Sequence, residues 1–296
     1  MTFTLFALPK AFAGHTGVIQ RNAIRSWTLL EPRPEILLCG DDPGVADVAR
    51  EMGLMHVPDI PRNEFGTPFV SELFLRAQKI ASQRILCYVN SDIIFTADLP
   101  SAIARVASER REFLLAGRRW DLDWAELFEF PLGWETSLRQ QARAAAQQRD
   151  EWWIDYFVFP RGQWSTMPAF AIGRPAWDNW LIRDAVRRGI PVIDATAVVT
   201  PIHQNHGYGH VRQSTGDHWR GPESDRNLEL AGGSTGTFNL LDATHRIETD
   251  RIRRNVSAQP LRRALERLAE RGEGRAAAVA RIRHFVRGLK RLATRR

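Results

Sequence analysis

The sequence predicts an α/β fold: a mostly parallel sheet with helices on both faces, followed by a basic helical C-terminal tail. Three observations predict it. Apolar runs alternate with amphipathic segments through the first 95 residues, which is the pattern of repeated strand–helix units. The runs are short and rich in Val, Ile, Phe and Tyr, as buried strands are. The charge divides the chain: residues 251–296 carry 15 Arg or Lys and 3 Glu, leaving 26 basic and 31 acidic residues before them. The net charge of +7 therefore belongs to the tail, and the body is mildly acidic.

Taken in order, residues 2–8 form the first strand, and a loop from Pro9 to Gly17 follows. Val18 to Leu30 has apolar residues at 18, 19, 23, 24, 27 and 30, close to helical spacing, and Pro32 and Pro34 end it. Glu35 to Cys39 is a second buried strand, closed by the turn Gly40-Asp41-Asp42-Pro43-Gly44. Val45 to Met52 is a short helix with Gly53 as its C-cap, and Leu54 to Val57 is a third strand. Phe69 to Ala81 is a helix with Val70, Leu73, Phe74, Ala77 and Ile80 inward. The fourth strand, residues 85–90, ends in Asn90-Ser91-Asp92.

A helix over Leu99–Arg111 and a strand over Glu112–Ala116 continue the alternation. Gly117 to Glu151 departs from it, with Trp120, Asp121, Asp123, Trp124, Glu126, Glu129, Trp134 and Glu135 ahead of a polar helix. It reads as an aromatic and acidic excursion beside a cleft. Ile154 to Phe159 is a strand with Asp155 near its start; Ala176 to Arg188 is a helix capped by Gly189; Val192 to Asp194 is a short strand. Ala195 to Ile202 leads into His203-Gln204-Asn205-His206, and the chain from Val211 to about Asp250 is polar and glycine-rich. The expected division is a body over 1–250 and a basic amphipathic tail over 251–296.

Composition excludes several classes. An apolar fraction of 44% fits a globular body with a real core. Cys39 and Cys87 both sit in strand-like runs and read as small buried hydrophobes in a reducing compartment. No apolar stretch approaches the ~20 residues of a membrane span. The start MTFTLFALPK lacks a signal peptide's charged head and long apolar centre. A cytoplasmic protein is expected.

The chemistry-bearing residues fall in three places: Asn90-Ser91-Asp92, Trp177-Asp178-Asn179-Trp180, and His203 with His206. Segments that follow strand C-termini converge on one edge of a parallel sheet. A buried carboxylate there needs a partner. A carboxylate and an imidazole suit Mg²⁺ or Mn²⁺ when phosphate oxygens supply the remaining ligands. Such an ion stabilises a departing diphosphate, and a second carboxylate off the metal takes a proton from an attacking hydroxyl. Each residue also has an ordinary reading: Asp92 as a turn or cap, Asp178 as an N-terminal helix aspartate, the histidines as loop residues, and most of the Trp as core.

Together with the strand–helix alternation, these residues give a resemblance. The chain resembles the GT-A type glycosyltransferases, which move a sugar from a nucleotide-diphosphate donor, over roughly residues 1–210. The resemblance rests on Val89-Asn90-Ser91-Asp92 ending the fourth strand, on Phe170 to Trp180 with its Trp-Asp-Asn, and on the histidines that follow. It implies a Rossmann-like GT-A sheet and a Mn²⁺ or Mg²⁺ cofactor. Asp92 and His203 or His206 become metal ligands, and Asp178 becomes the base of an inverting transfer. Lys10, His15, Arg21, Asp41, Asn90, Ser91 and Asp92 fall on the donor side. Trp177, Asn179 and Trp180 fall on the acceptor side. Asn90 stands where the family's motif has its first Asp. Asp41-Asp42 equally reads as a plain turn.

The implied partners are a nucleotide-sugar donor and a glycan or lipid-linked acceptor; the basic helix over residues 276–296 reads as a contact for an anionic membrane surface, and equally as a segment docked on the acidic body or a solvated face. No nucleic-acid partner is expected, because the tail has no aromatic interleaving or recognition motif. Two other readings compete: a nucleotidyltransferase on a related sheet, and a non-enzymatic adaptor working through the basic tail.

Overall fold

Alternate residues of the strands face opposite ways, and here both sets are apolar. Phe6, Leu37, Leu86, Tyr88, Phe157 and Phe159 feed one buried cluster, and Leu5, Leu38, Ile85, Cys87, Val89 and Val158 feed another. That is a sheet covered on both faces. A computed structural model describes residues 1–145, 147–206, 220–233, 238–249, 251–259 and 263.

The strands are β1 (Thr4–Ala7), β2 (Glu35–Cys39), β3 (Met55–Val57), β4 (Ile85–Val89), β5 (Ile93–Ile94), β6 (Leu114–Ala116), β7 (Trp120–Leu122), β8 (Gln147–Gln148), β9 (Tyr156–Pro160), β10 (Val192–Asp194), β11 (Ile202–Gln204), β12 (His245–Ile247) and β13 (Ile252–Arg254). The helices are α1 (Gly14–Thr28), α2 (Val45–Met52), α3 (Val70–Ile80), α4 (Asp98–Glu109), α5 (Trp134–Ala145), α6 (Trp177–Arg188) and α7 (Pro222–Leu230). The main sheet runs β13-β12-β10-β6-β9-β4-β1-β2-β3. It is parallel except for β9, which is antiparallel to both neighbours, and β13, which is antiparallel to β12. Helices α1, α2 and α4 pack on one face; α3 and α6 pack on the other. The Rossmann-like, mostly parallel expectation is met.

The burial also explains the cysteines. Both thiols are free and buried, and burial pushes the Cys39 thiol up to about 12. They pack as apolar groups.

Three features differ from the sequence reading. The excursion after β6 is not only loop: β7 and β8 join β5 and β11 in a second, four-stranded sheet, ordered β5-β11-β7-β8. Its strands are two or three residues long, too short for any periodic signal. The stretch read only as polar and glycine-rich contains α7, whose Asn227 carboxamide bonds the backbone of Ala171 and Pro175. And β13 begins past the boundary expected at 250, completing a hairpin with β12 at the sheet edge. The amphipathic stretch 276–296 lies outside the described residues. Among the described residues, no helix is long and apolar enough to cross a membrane.

Candidate functional site

The site begins where β4 stops. The Asn90 amide N–H still donates to the Asp155 carbonyl at 2.9 Å, one step beyond the strand. The Asn90 side chain is fixed on both sides: Nδ2 donates to Asp155 Oδ1 at 2.6 Å and Oδ1 accepts from the Tyr88 hydroxyl at 2.7 Å. The chain then turns, closed by the Ile93 N–H donating to the Asn90 carbonyl. It pairs as β5 with β11, which sets His203 opposite Ile93. Gln204 donates to the Asp92 carbonyl from its side chain. Asp92 is thereby held against the two histidines.

This geometry accounts for the amide at position 90. A carboxylate there would face the Asp155 carboxylate at 2.6 Å with no donor between them. Asn90→Asp is expected to destabilise the fold by about 1–3 kcal/mol at neutral pH, through like-charge contact and a lost donor, measurable by urea unfolding.

Asp92 Oδ2 lies 3.0 Å from His206 Nε2 and 3.6 Å from His203 Nε2. One ligand atom from each of these residues falls within 4.8 Å of the others. Burial opposes the Asp92 charge, but His203, His206 and Arg119 outweigh it and hold its carboxyl well below the usual range. Burial likewise opposes a charged His203, while Asp92 and Asp121 raise its pKa. Asp92 Oδ1 is buried with no hydrogen-bond partner among the described residues. Such an orphan carries a large desolvation cost unless something positive meets it. One carboxylate and two imidazoles, with a lone pair unclaimed, fit a divalent ion whose other ligands are oxygens. The residues present therefore fit the metal that the resemblance implies.

Asp178 comes from another element. Ala176 precedes α6 in the left-handed region (φ 82°), a position costing about 1–3 kcal/mol for a residue with a Cβ. Asp178 then lies in the first turn of α6, its Oδ1 accepting the Asn179 N–H at 2.9 Å. Burial, helped by Asp155 and opposed by the Asn179 N–H, pushes the Asp178 carboxyl up to about 6. That suits a group that accepts a proton near neutrality.

These parts share one cleft of about 1190 Å³. Pockets of about 300–1,000 Å³ hold one drug-sized ligand, so there is room for a donor and an acceptor. Lys10, Asn90, Ser91, Asp92, Trp177, Asp178, Asn179, His203 and His206 line it. Lys10 is presented by Gln20, whose carboxamide bonds both the N–H and the carbonyl of the Lys10 peptide.

Four expected residues sit elsewhere. Arg21 is held by Glu51 at 2.8 Å, between α1 and α2, so its charge is not aimed at the cleft. Asp41 pairs with Arg62 at 2.8 Å; its neighbour Asp42 is the one on the wall. His15 lies against the Asn205 carbonyl at 3.2 Å. Trp180 packs on Phe170 in the core side of α6. Two residues that do line the cleft have other duties. The Trp177 ring is packed edge-on among Phe74, Tyr88 and Phe157, and the Asn179 carboxamide donates to the Phe238 carbonyl.

Sequence reasoning missed a buried ionic set on the same wall. Arg119 Nε donates to Asp121 at 2.7 Å, and its NH1 meets both Asp155 oxygens at 3.0 and 3.1 Å. Arg174 and Glu223 pair at 2.7 Å across the cleft rim. The available signal was weak: charged residues beside predicted strands, without spacing that links them.

No family model matches the chain, and no curated protein matches it in sequence. Among solved structures it is similar to Mycobacterium tuberculosis glucosyl-3-phosphoglycerate synthase with Mg²⁺ and uridine diphosphate. That likeness has 14% identity and a TM-score of 0.46, over 78% of this chain and 80% of that one. The same enzyme with Mn²⁺, uridine diphosphate and phosphoglyceric acid gives 15% and 0.46, over 78% and 79%. A Staphylococcus aureus TarS fragment gives 13% and 0.32, over 44% of this chain and 39% of that one, so the chain spans about two fifths of its length. These likenesses are distant.

Proposed function

We propose that the chain is a metal-dependent glycosyltransferase. It moves a sugar from a nucleotide-diphosphate donor to an acceptor hydroxyl, with inversion, in glycan or cell-envelope polysaccharide synthesis. The observation that carries the reading is the cluster of Asp92, His203 and His206, with Asp92 Oδ1 unclaimed, in the same cleft as an off-cluster carboxylate at about 6. Asp92, His203 and His206 would hold Mn²⁺ or Mg²⁺. When bound, that ion supplies positive charge to the diphosphate as it departs.

The chain's own residues do the rest. Lys10 adds a cation at the donor end, and Ser91 offers a hydroxyl on the same cleft wall. Asp178 accepts the acceptor's proton as its oxygen forms the bond to the anomeric carbon. The bond from that carbon to the diphosphate oxygen breaks, and its electron pair leaves with the nucleoside diphosphate. Attack from the face opposite the leaving group inverts the centre. The transition state has oxocarbenium character, as in glycoside hydrolysis.

The test is a binding screen of nucleotide sugars with and without Mn²⁺, followed by product analysis. Metal-dependent binding and release of a nucleoside diphosphate support the reading. Release of pyrophosphate would mark a nucleotidyltransferase instead. A chain that binds no nucleotide sugar, and loses its role only when residues 258–296 are removed, would be the adaptor.

A further inference from the structure

The buried set around Asp121 has a consequence for His203. Strands β7 and β11 run parallel, and their register sets Asp121 beside His203. Neighbouring residues on the strands point the other way: Leu122 and Ile202 enter a small apolar cluster with Trp134, Leu138 and Ala142. Asp121 and His203 thus emerge on the same side, both buried. His203 Nδ1 lies 3.3 Å from Asp121 Oδ1, its nearest charged group, and makes no aligned hydrogen bond among the described residues, while its Nε2 lies 3.6 Å from Asp92 Oδ2.

Asp121 is itself held. Oδ1 accepts from Arg119 Nε at 2.7 Å, and Oδ2 accepts from Arg149 Nε at 2.5 Å. The two guanidinium groups lie 4.7 and 4.9 Å from the centre of the Trp153 ring. Arg119 reaches on to Asp155, which anchors Asn90. With a cation on Nε2, His203 would be neutral and its remaining proton would sit on Nδ1, beside a carboxylate that Arg119 and Arg149 already balance. That carboxylate can receive an Nδ1–H from a neutral ring, which leaves the Nε2 lone pair facing Asp92. Histidine ligands commonly need such an outer carboxylate to fix tautomer and ring orientation.

We infer that Asp121 is a positioning residue: braced by Arg119 and Arg149, it holds His203 in the Nδ1–H tautomer with Nε2 turned to the metal site. This rests on the metal-site reading above. It also ties the aromatic and acidic excursion to the chemistry, since Arg119, Asp121, Arg149 and Trp153 all lie in or beside that excursion.

The test uses the full chain and Mn²⁺ alone. Asp121→Asn is expected to weaken Mn²⁺ binding by about 10–100-fold, read by electron paramagnetic resonance of free Mn²⁺, with Asp121→Glu recovering part of the loss. In the metal-free wild type, at a pH high enough to deprotonate a ring whose pKa Asp92 and Asp121 raise, nitrogen-15 spectra of histidine should show the His203 proton on Nδ1, and Asp121→Asn should lose that preference. A merely structural Asp121 would shift the thermal midpoint without moving either readout. If Asp121→Asn fails to fold, Arg149→Gln removes one brace and is expected to weaken Mn²⁺ binding in the same direction. Wild-type affinity in whichever variant folds overturns the inference. A wild type that binds no Mn²⁺ overturns the metal reading, whereas the tautomer spectrum judges Asp121 independently of it.

Discussion

Asp92→Asn is expected to abolish the Mn²⁺-dependent part of nucleotide-sugar binding while leaving the sheet intact. The substitution keeps the shape of the side chain and removes its charge. Of the three clustered ligands Asp92 alone is anionic, and Oδ1 is the buried oxygen with no partner among the described residues. Removing the charge leaves two imidazoles, which suit a hard oxygen-seeking cation poorly. The charge that faces His203 and His206 is also lost, so the metal-free midpoint will move as well. The deciding quantity is therefore the increment that Mn²⁺ adds to the nucleotide-induced thermal shift. It should be large in the wild type and near zero in Asp92→Asn. An increment that survives the substitution would remove Asp92 from the metal site.

How far the sequence carried this site depends on the length of the signals. Strands β1, β2 and β4 and helices α1–α4 declare themselves through four to fifteen residues of regular apolar spacing. Because those elements are right, the end of β4 is right, and Asp92 could be placed at a sheet edge without coordinates. The convergence of Asp92, Asp178 and the histidines followed from sheet topology alone. What failed was whatever depended on two- and three-residue strands. The pairing of β7 with β11 sets Asp121 beside His203 across 82 residues, and no local pattern announces it. The reach of long side chains was equally illegible. Arg21 sits near the donor end in sequence, yet Glu51 holds it aside, while Arg119 crosses the fold to Asp155. Asn90 shows the reverse. It looked like a defect in a motif, and its neighbours show an amide to be what the Asp155 carboxylate and the Tyr88 hydroxyl require.

Asp178→Asn is expected to slow transfer by about 10²–10⁴-fold with donor binding retained, the range for loss of a positioned proton acceptor. In the wild type, the rate should fall on the acid side as Asp178 takes up its proton near pH 6. Stability should move the other way. The carboxyl titrates at about 6 in the fold, against an ordinary value of 3.8, so the folded state binds the proton more tightly than the unfolded chain. The stabilisation is fully present below the ordinary value and is lost as pH rises through about 6. A shift of that size corresponds to roughly 3 kcal/mol withheld from the fold at neutral pH and above. The Asn179 N–H can still donate to the carbonyl oxygen of an asparagine, so the helix start is preserved. Asp178→Asn should therefore be the more stable protein at pH 8, with the advantage closing toward pH 4. A purely structural first-turn aspartate predicts the opposite, because its charge favours the helix N-terminus and its loss would destabilise at pH 8. Urea unfolding of the two proteins at pH 4 and pH 8 separates the cases by sign. A variant that is both slower and more stable would mark Asp178 as a carboxylate kept charged for proton transfer at the expense of the fold.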